Sequence, residues 1–355
     1  MKRVTIQDVA KELGLSRNTV AKALNNSESV TYETRYIVIE KACEMGYLKV
    51  SPSTIKEFRR RDETEKIKTI VVVARRELSI FWNSIIMGIS DAVNQEGCRF
   101  MLCFVSSDDE KNLVIPDDLK EDIDGIVLIS VFTDKYMEQL LKLKLPTVCF
   151  DCPLNTENIE KKVDILVCEG TSSIKHITDH LISNGLRKIG FIGDVTYCRN
   201  ITERYLGYLD SLRVHGIEPD PRFEAIAHVS DRYYVYNEVF DYLASLMQMP
   251  EAFVCANDDI AFFVIRFLKK KGLRVPEDIA VTGYDNVEGL SQQDPILTTV
   301  NVSNQMLGRR LVSQVLWRMA NPDFPHERIV IDSDVIFRES SEKHAVQAGE
   351  SIKSN

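Results

Sequence analysis

The sequence predicts an α/β chain in which a small N-terminal helix-turn-helix domain precedes a two-lobed domain built on parallel sheets. Three observations carry that expectation. Two short capped helical patterns sit either side of a single glycine turn near the N-terminus. Short apolar runs alternate with amphipathic stretches from Lys68 onward. Charge is segregated between the two parts.

The helical patterns come first. Thr5 precedes an apolar-periodic run (Ile6, Val9, Ala10, Leu13) with Asp8 three residues on and Gly14 just after, the signature of a capped helix that stops at a glycine. Ser16 is a second cap, and Arg17 to Leu24 a second helix with Val20 and Leu24 inward. Only Gly14 and Leu15 separate the two patterns, so they form a helix-turn-helix. Thr31 caps a third helix, whose Val38, Ala42 and Met45 recur at helical spacing until Gly46. The second helix turns Arg17, Asn18, Thr19 and Lys22 outward. Arg and Lys pair with guanine and Asn with adenine in the major groove. The helix N-terminus and the Ser16 and Thr5 hydroxyls suit phosphate oxygens. Asn25, just behind the helix, completes the candidate DNA-contacting set.

The charge agrees. Residues 1–61 carry 12 Lys+Arg against 7 Asp+Glu, whereas the rest of the chain carries 32 against 46. A basic head on an acidic body is the footprint of a polyanion-binding module joined to something that does not bind polyanions.

The body supplies the parallel sheets. Strand candidates include Thr69–Ala74, Phe100–Val105, Gly125–Ile129, Thr147–Phe150, Ile189–Ile192, Phe253–Ala256 and Ile279–Thr282. Between them lie amphipathic stretches such as Ile85–Gln95, Ile174–Asn184, Arg204–Val214 and Asp259–Lys271. Strands this apolar, separated by helices, are covered on both faces. The stretch is too long for one compact sheet, so two lobes are expected, with a ligand in the cleft beyond the strands' carboxyl ends.

Composition bounds the rest. At 355 residues, 44% hydrophobic and 27% charged, the chain has ordinary globular composition and room for two to three domains. No run approaches a membrane span, and the polar start Met1-Lys2-Arg3-Val4 lacks an apolar leader core, so a cytoplasmic protein is expected. Eight cysteines follow no framework spacing. The Cys149–Cys152 pair has only Cys168 behind it, so strand-end packing is the favoured reading over metal or redox chemistry. His176 and His180 have the i, i+4 spacing of a zinc pair, but no intervening glutamate or third ligand is evident. Gly190 and Gly193 lack the third glycine of a dinucleotide loop. No metal, no cofactor and no catalysis are therefore expected.

These residues resemble a known family. Thr5-Ile6-Gln7-Asp8-Val9-Ala10, Gly14-Leu15-Ser16, Thr19-Val20, Leu24-Asn25-Asn26 and Thr34-Arg35 through Gly46-Tyr47 are similar to the head of lactose-repressor (LacI/GalR-type) regulators. Ala21-Lys22 departs from the family's usual Ser-Arg, which implies a different operator. The body resembles the family's periplasmic-binding-protein-like domain through Ser79-Ile80-Phe81-Trp82, Glu203-Arg204-Tyr205-Leu206-Gly207-Tyr208, Ala256-Asn257-Asp258 and Gly272 through Asp285. The resemblance implies a helix-turn-helix domain over 1–48, a hinge over 49–67, a two-lobed effector-binding and dimerisation domain over 68–340, and a polar tail over 341–355.

It also implies partners: a pseudo-palindromic double-stranded DNA operator, read by a homodimer, and a small-molecule effector, expected to be a sugar. The family's hinge leucine wedges into the minor groove. Its usual motif is missing here, and Ile55 or Phe58 is the nearest equivalent, a flexible tether being the alternative. The effector cleft would be lined by Phe81, Trp82, Asp151, Arg204, Asn257 and Asp285. Aromatic rings cover the apolar faces of a pyranose, while Asp, Asn and Arg hydrogen-bond its hydroxyls. Plainer readings stand beside these: packing under the first body helix for Phe81 and Trp82, a loop cap before Pro153 for Asp151, a surface ion pair for Arg204. Two other functions compete, a purine-responsive regulator of the same family and a sugar-binding protein that reads no DNA.

Overall fold

The computed structural model describes residues 4–25, 30–47, 67–76, 79–120, 122–153, 159, 161–227, 236–289 and 296–342. Ile55, Phe58 and nearly all of the hinge lie outside the described residues, as do residues 228–235 and the tail beyond 342. The chain divides into two compact units, Met1–Ile67 and Lys68–Asn355. No described helix is long and apolar enough to cross a membrane.

Among the described residues the first unit holds three helices, α1 (Ile6–Leu13), α2 (Arg17–Leu24) and α3 (Tyr32–Glu44). Each begins on a hydroxyl cap: Thr5 with Asp8 in a reciprocal capping box, Ser16 accepting from the Thr19 amide, and Thr31 accepting from the Thr34 amide. Gly14 takes φ +63°, the left-handed conformation that lets α1 stop and α2 start two residues later. Val9, Ala10, Val20, Ala23, Val38 and Ala42 are buried together as the small core.

The second unit contains two parallel sheets. Lobe 1 holds β1 (Thr69–Arg75), β2 (Arg99–Val105), β3 (Gly125–Leu128), β4 (Thr147–Phe150), β5 (Asp164–Cys168) and β11 (Arg328–Ile331), in the order β11-β5-β4-β3-β1-β2. Lobe 2 holds β6 (Ile189–Ile192), β7 (Glu224–Ala225), β8 (Ala252–Cys255) and β9 (Ala280–Thr282), in the order β7-β6-β8-β9. A separate antiparallel pair joins β10 (Thr299–Asn301) to β12 (Asp334–Ile336). The central strands are buried on both faces, which is why they read as unbroken Val/Ile/Leu runs.

Among the described residues the α-helices of this unit are α4 (Ile80–Gln95), α5 (Ser107–Lys111), α6 (Asp134–Leu141), α7 (Thr171–Ser183), α8 (Arg199–Val214), α9 (Tyr236–Ser245), α10 (Asp258–Lys270) and α11 (Asn304–Ala320). Two of them, α4 and α8, start five residues earlier than their apolar periodicity predicts. Ser79 precedes α4, so Phe81 and Trp82 sit in its first turn. Arg199 opens α8, so Arg204 lies inside the helix rather than at its start.

The backbone passes between the lobes three times: from β5 to α7 through Glu169-Gly170, from β10 to α11 through Val302-Ser303, and from β11 to β12 through Asp332-Ser333. After the second passage, α11 packs on α4 and on β3 and β4. Glycine makes that packing possible. A Cβ on Gly308 would lie 2.6 Å from the Gly88 carbonyl carbon, so two glycines let the helix backbones touch. At the far end of α11, Arg318 donates from Nε and Nη2 to the fully buried Asp164 at 3.0 and 2.6 Å, and Gln314 adds a third bond at 2.8 Å. A buried carboxylate is tolerable only when paired and hydrogen-bonded in this way.

Candidate functional site

On the first unit, α2 presents Arg17, Asn18 and Lys22 to solvent, with Asn25 exposed just behind them. Val20 and Ala23 hold the opposite face in the core. Thr19 is half-buried, and its hydroxyl lies 2.8 Å from the Ser16 hydroxyl, so it shapes the helix start as well as its surface. Thr5 donates its hydroxyl proton to Asp8 at 2.7 Å. The exposed, uncommitted side chains are thus long donors on one face of a short helix, the arrangement major-groove reading requires.

On the second unit, the predicted cleft residues fall on the two lobe walls. Phe81 and Trp82, from the first turn of α4, meet edge-to-face at 5.1 Å, and Phe150 at the end of β4 closes the group at 5.7 Å from Trp82. Phe81 and Phe150 are buried, whereas Trp82 is half-buried. Asp151 follows directly, at φ +65°, with its side chain buried. Its Oδ1 accepts from the Cys152 amide at 2.7 Å and from the Asn200 amide of lobe 2 at 3.4 Å. Burial raises its pKa above the ordinary carboxylate range, against hydrogen bonds from the Cys198 thiol and the Cys152 amide.

The lobe 2 wall is built around Arg204. Its Nη1 donates to the Ala256 carbonyl at 2.6 Å, its Nη2 lies 3.5 Å from Asp285 Oδ1, and its guanidinium carbon stacks 3.4 Å from the centre of the Tyr284 ring. Gly207, one turn on, lets α8 reach this place: a Cβ there would stand 2.2 Å from the Thr171 carbonyl of α7. Arg204 is 6% exposed and Asp285 6%, so the pair is no surface ion pair. Even so, Arg204 Nε and Asp285 Oδ1 have no hydrogen-bond partner, nor does the buried Asn200 Oδ1. Buried polar atoms are nearly always satisfied, so these atoms retain unused capacity to bond a polar group. Asp285 is held at φ +110°, a costly conformation for a residue with a Cβ. Burial drives its pKa well above the ordinary range, partly offset by Arg204.

Asn257 behaves differently. It caps α10, its Oδ1 accepting from the Ile260 amide at 2.9 Å, and it stays half-buried. Sequence reasoning missed Asn200 and Tyr284 as members of the site. Tyr284 lies inside a motif quoted for its neighbour Asp285, but Asn200 carries no local signal because its place depends on the opposite lobe. Arg75 is committed within lobe 1, donating to Glu110 Oε1 at 3.0 Å and to the Val131 carbonyl at 3.0 Å. His176 and His180 pack against Phe337, with ring centres 5.1 and 4.3 Å away. All eight cysteines are free thiols.

Comparison with known proteins follows the same division. The profile of bacterial regulatory proteins, lacI family, matches residues 5–49, and that of a periplasmic binding protein-like domain matches residues 178–341. The HTH-type transcriptional repressor PurR of Mannheimia succiniciproducens is 29% identical over 347 residues, covering 96% of this chain and 99% of that protein. The HTH-type transcriptional regulator CelR of Thermobifida fusca is 26% identical, over 96% and 98%. Among solved structures, the CelR–cellobiose complex superposes with TM-score 0.66 at 24% identity, covering 95% of this chain and all of that one. The lac repressor dimer bound to operator and the anti-inducer ONPF superposes with TM-score 0.63 at 20% identity, over 96% and 99%. These relatives are regulators rather than enzymes. The head thus matches the lacI-family DNA-binding domain and the body a periplasmic-binding-protein-like domain, and over nearly its whole length the chain is similar to curated LacI-type, ligand-responsive transcriptional regulators.

Proposed function

We propose that this chain is a cytoplasmic, homodimeric repressor whose operator affinity is set by a sugar held between the lobes by Asp151, Arg204, Asn257 and Asp285 against the Phe81–Trp82 wall. The observation that carries the effector site is the buried Arg204–Asp285 pair, each partner with an unsatisfied atom at the carboxyl end of a parallel sheet. Ring faces beside paired hydrogen-bonding groups suit a pyranose. They also suit a purine stacked on Trp82, and this is the second reading. DNA is read by Arg17, Asn18 and Lys22, with Thr5, Ser16, Thr19 and Asn25 positioning the helix on phosphates. Ile55 or Phe58 wedges the operator centre. A ligand alters DNA affinity only through its differential affinity for two states, typically about 1–3 kcal/mol.

Selection of binding sites from random duplexes at physiological salt, repeated with a panel of sugars and purines, tests this reading. Enrichment of an inverted repeat, weakened or strengthened by a sugar, is expected. A purine as the only active compound moves the effector class, and failure to enrich any sequence removes operator reading.

A further inference from the structure

The first turn of α8 is where the lobes meet through their backbones. A helix leaves its first amides without intrahelical acceptors, and Cys198 at the head of α8 gives no side-chain cap. Lobe 1 provides the acceptors: the Arg199 amide donates to the Cys152 carbonyl at 3.1 Å and the Asn200 amide to Asp151 Oδ1 at 3.4 Å. One turn on, Glu203 Oε1 accepts from Arg328 Nη2 at 2.6 Å and from Arg199 Nε at 3.1 Å. Arg328 opens β11, the edge strand of lobe 1, whereas Arg199 and Glu203 belong to lobe 2. Glu203 is fixed from its own side as well, since Thr171 Oγ1 donates to its carbonyl at 3.1 Å.

We propose that Glu203, Arg328 and Arg199 form an electrostatic latch between the lobes. They are positioning residues: they hold the first turn of α8, and through it the adjoining Arg204, against lobe 1. Two guanidinium groups share one carboxylate, so the latch biases closure as a network rather than as an isolated pair, and all three side chains are exposed enough for salt to weaken it. Its consequence for the effector response rests on the cleft reading above. A latch that favours closed lobes lowers the cost of closing on an effector, and its loss weakens the response without touching an effector contact.

Hydrogen–deuterium exchange on the full-length protein without added ligand reads the latch directly, because the Arg199 and Asn200 amides donate to lobe 1 acceptors. Arg328→Glu is expected to speed exchange in peptides spanning 199–203 by roughly two- to tenfold at low salt. The double variant Arg328→Glu with Glu203→Arg is expected to restore most of the protection. Raising wild type to about 1 M salt is expected to move it toward the single variant. Should Arg328→Glu fail to fold, Arg328→Gln carries the same comparison without a like-charge clash. Unchanged exchange in the single variant, or a swap that restores nothing, overturns the latch. Neither result touches the cleft reading, which rests on Asp285.

Discussion

At the scale of single residues, the two proposed sites have opposite character. Arg17 projects into solvent from a rigid, capped helix, so its loss should leave folding alone. Arg17→Ala is expected to cost about 1–3 kcal/mol on the selected operator and little on random DNA; equal losses on both place Arg17 on phosphate. The effector cleft, by contrast, stores cost in buried carboxylates. Asp258 is fully buried below it, accepting from the Thr299 hydroxyl at 2.7 Å and the Val287 amide at 2.8 Å. Burial pushes its pKa up to about 7, against those two hydrogen bonds. A carboxyl raised in the folded state stabilises most when protonated in both states. That stability is present below the ordinary carboxylate range and is lost as pH rises through about 7. Wild type should therefore lose about 2–4 kcal/mol between pH 4 and pH 8 from this group. Asp258→Asn can keep both bonds, with its amide facing the Thr299 oxygen, and its urea midpoint should fall less over that window; parallel pH profiles count against the assignment. Residues of this kind were unevenly legible. Arg204 and Asp285 stood in recognisable motifs, whereas Asn200 enters the site only because α8 points its first turn across the cleft.

At the scale of elements, legibility followed periodicity. The strands β1, β4 and β6 announce themselves because both their faces are buried and nearly every interior position is apolar. The beginnings of α4 and α8 were read late because their first turns serve the cleft and the opposite lobe instead of their own core. No periodicity marked α11, which buries Gln314 and Arg318 on its inner face to satisfy Asp164 and so interrupts its own apolar stripe. Its other end gives a sharp expectation. With Gly88 and Gly308 in backbone contact, Gly308→Ala forces α4 and α11 apart and should destabilise the second unit by about 1–3 kcal/mol. An unchanged denaturation midpoint would falsify that close approach.

At the scale of the whole molecule, the two units differ in how much they can bury. The first has six fully buried side chains of Val and Ala size at its centre, while the second has two large clusters spanning its sheets. A compound active in the screen, added at 100 times its Kd, should raise the stability of the second unit by about 2.7 kcal/mol. Calorimetry should show that shift in its transition alone, and Asp285→Ala should abolish it while sparing DNA binding; a normal shift in the variant would move the effector elsewhere. The three backbone passages also set an order of events during synthesis. Lobe 2 runs almost continuously from α7 to β10, so its sheet can close while the ribosome is still translating. Lobe 1 begins first but waits longest for its sheet to be completed, because α11 and β11 arrive only with the final part of the chain, just before the short β12 segment returns to lobe 2. Until they emerge, the nascent protein carries an uncovered β5 edge and a glycine-lined face of α4 awaiting its partner, the span in which a chaperone has most to shield.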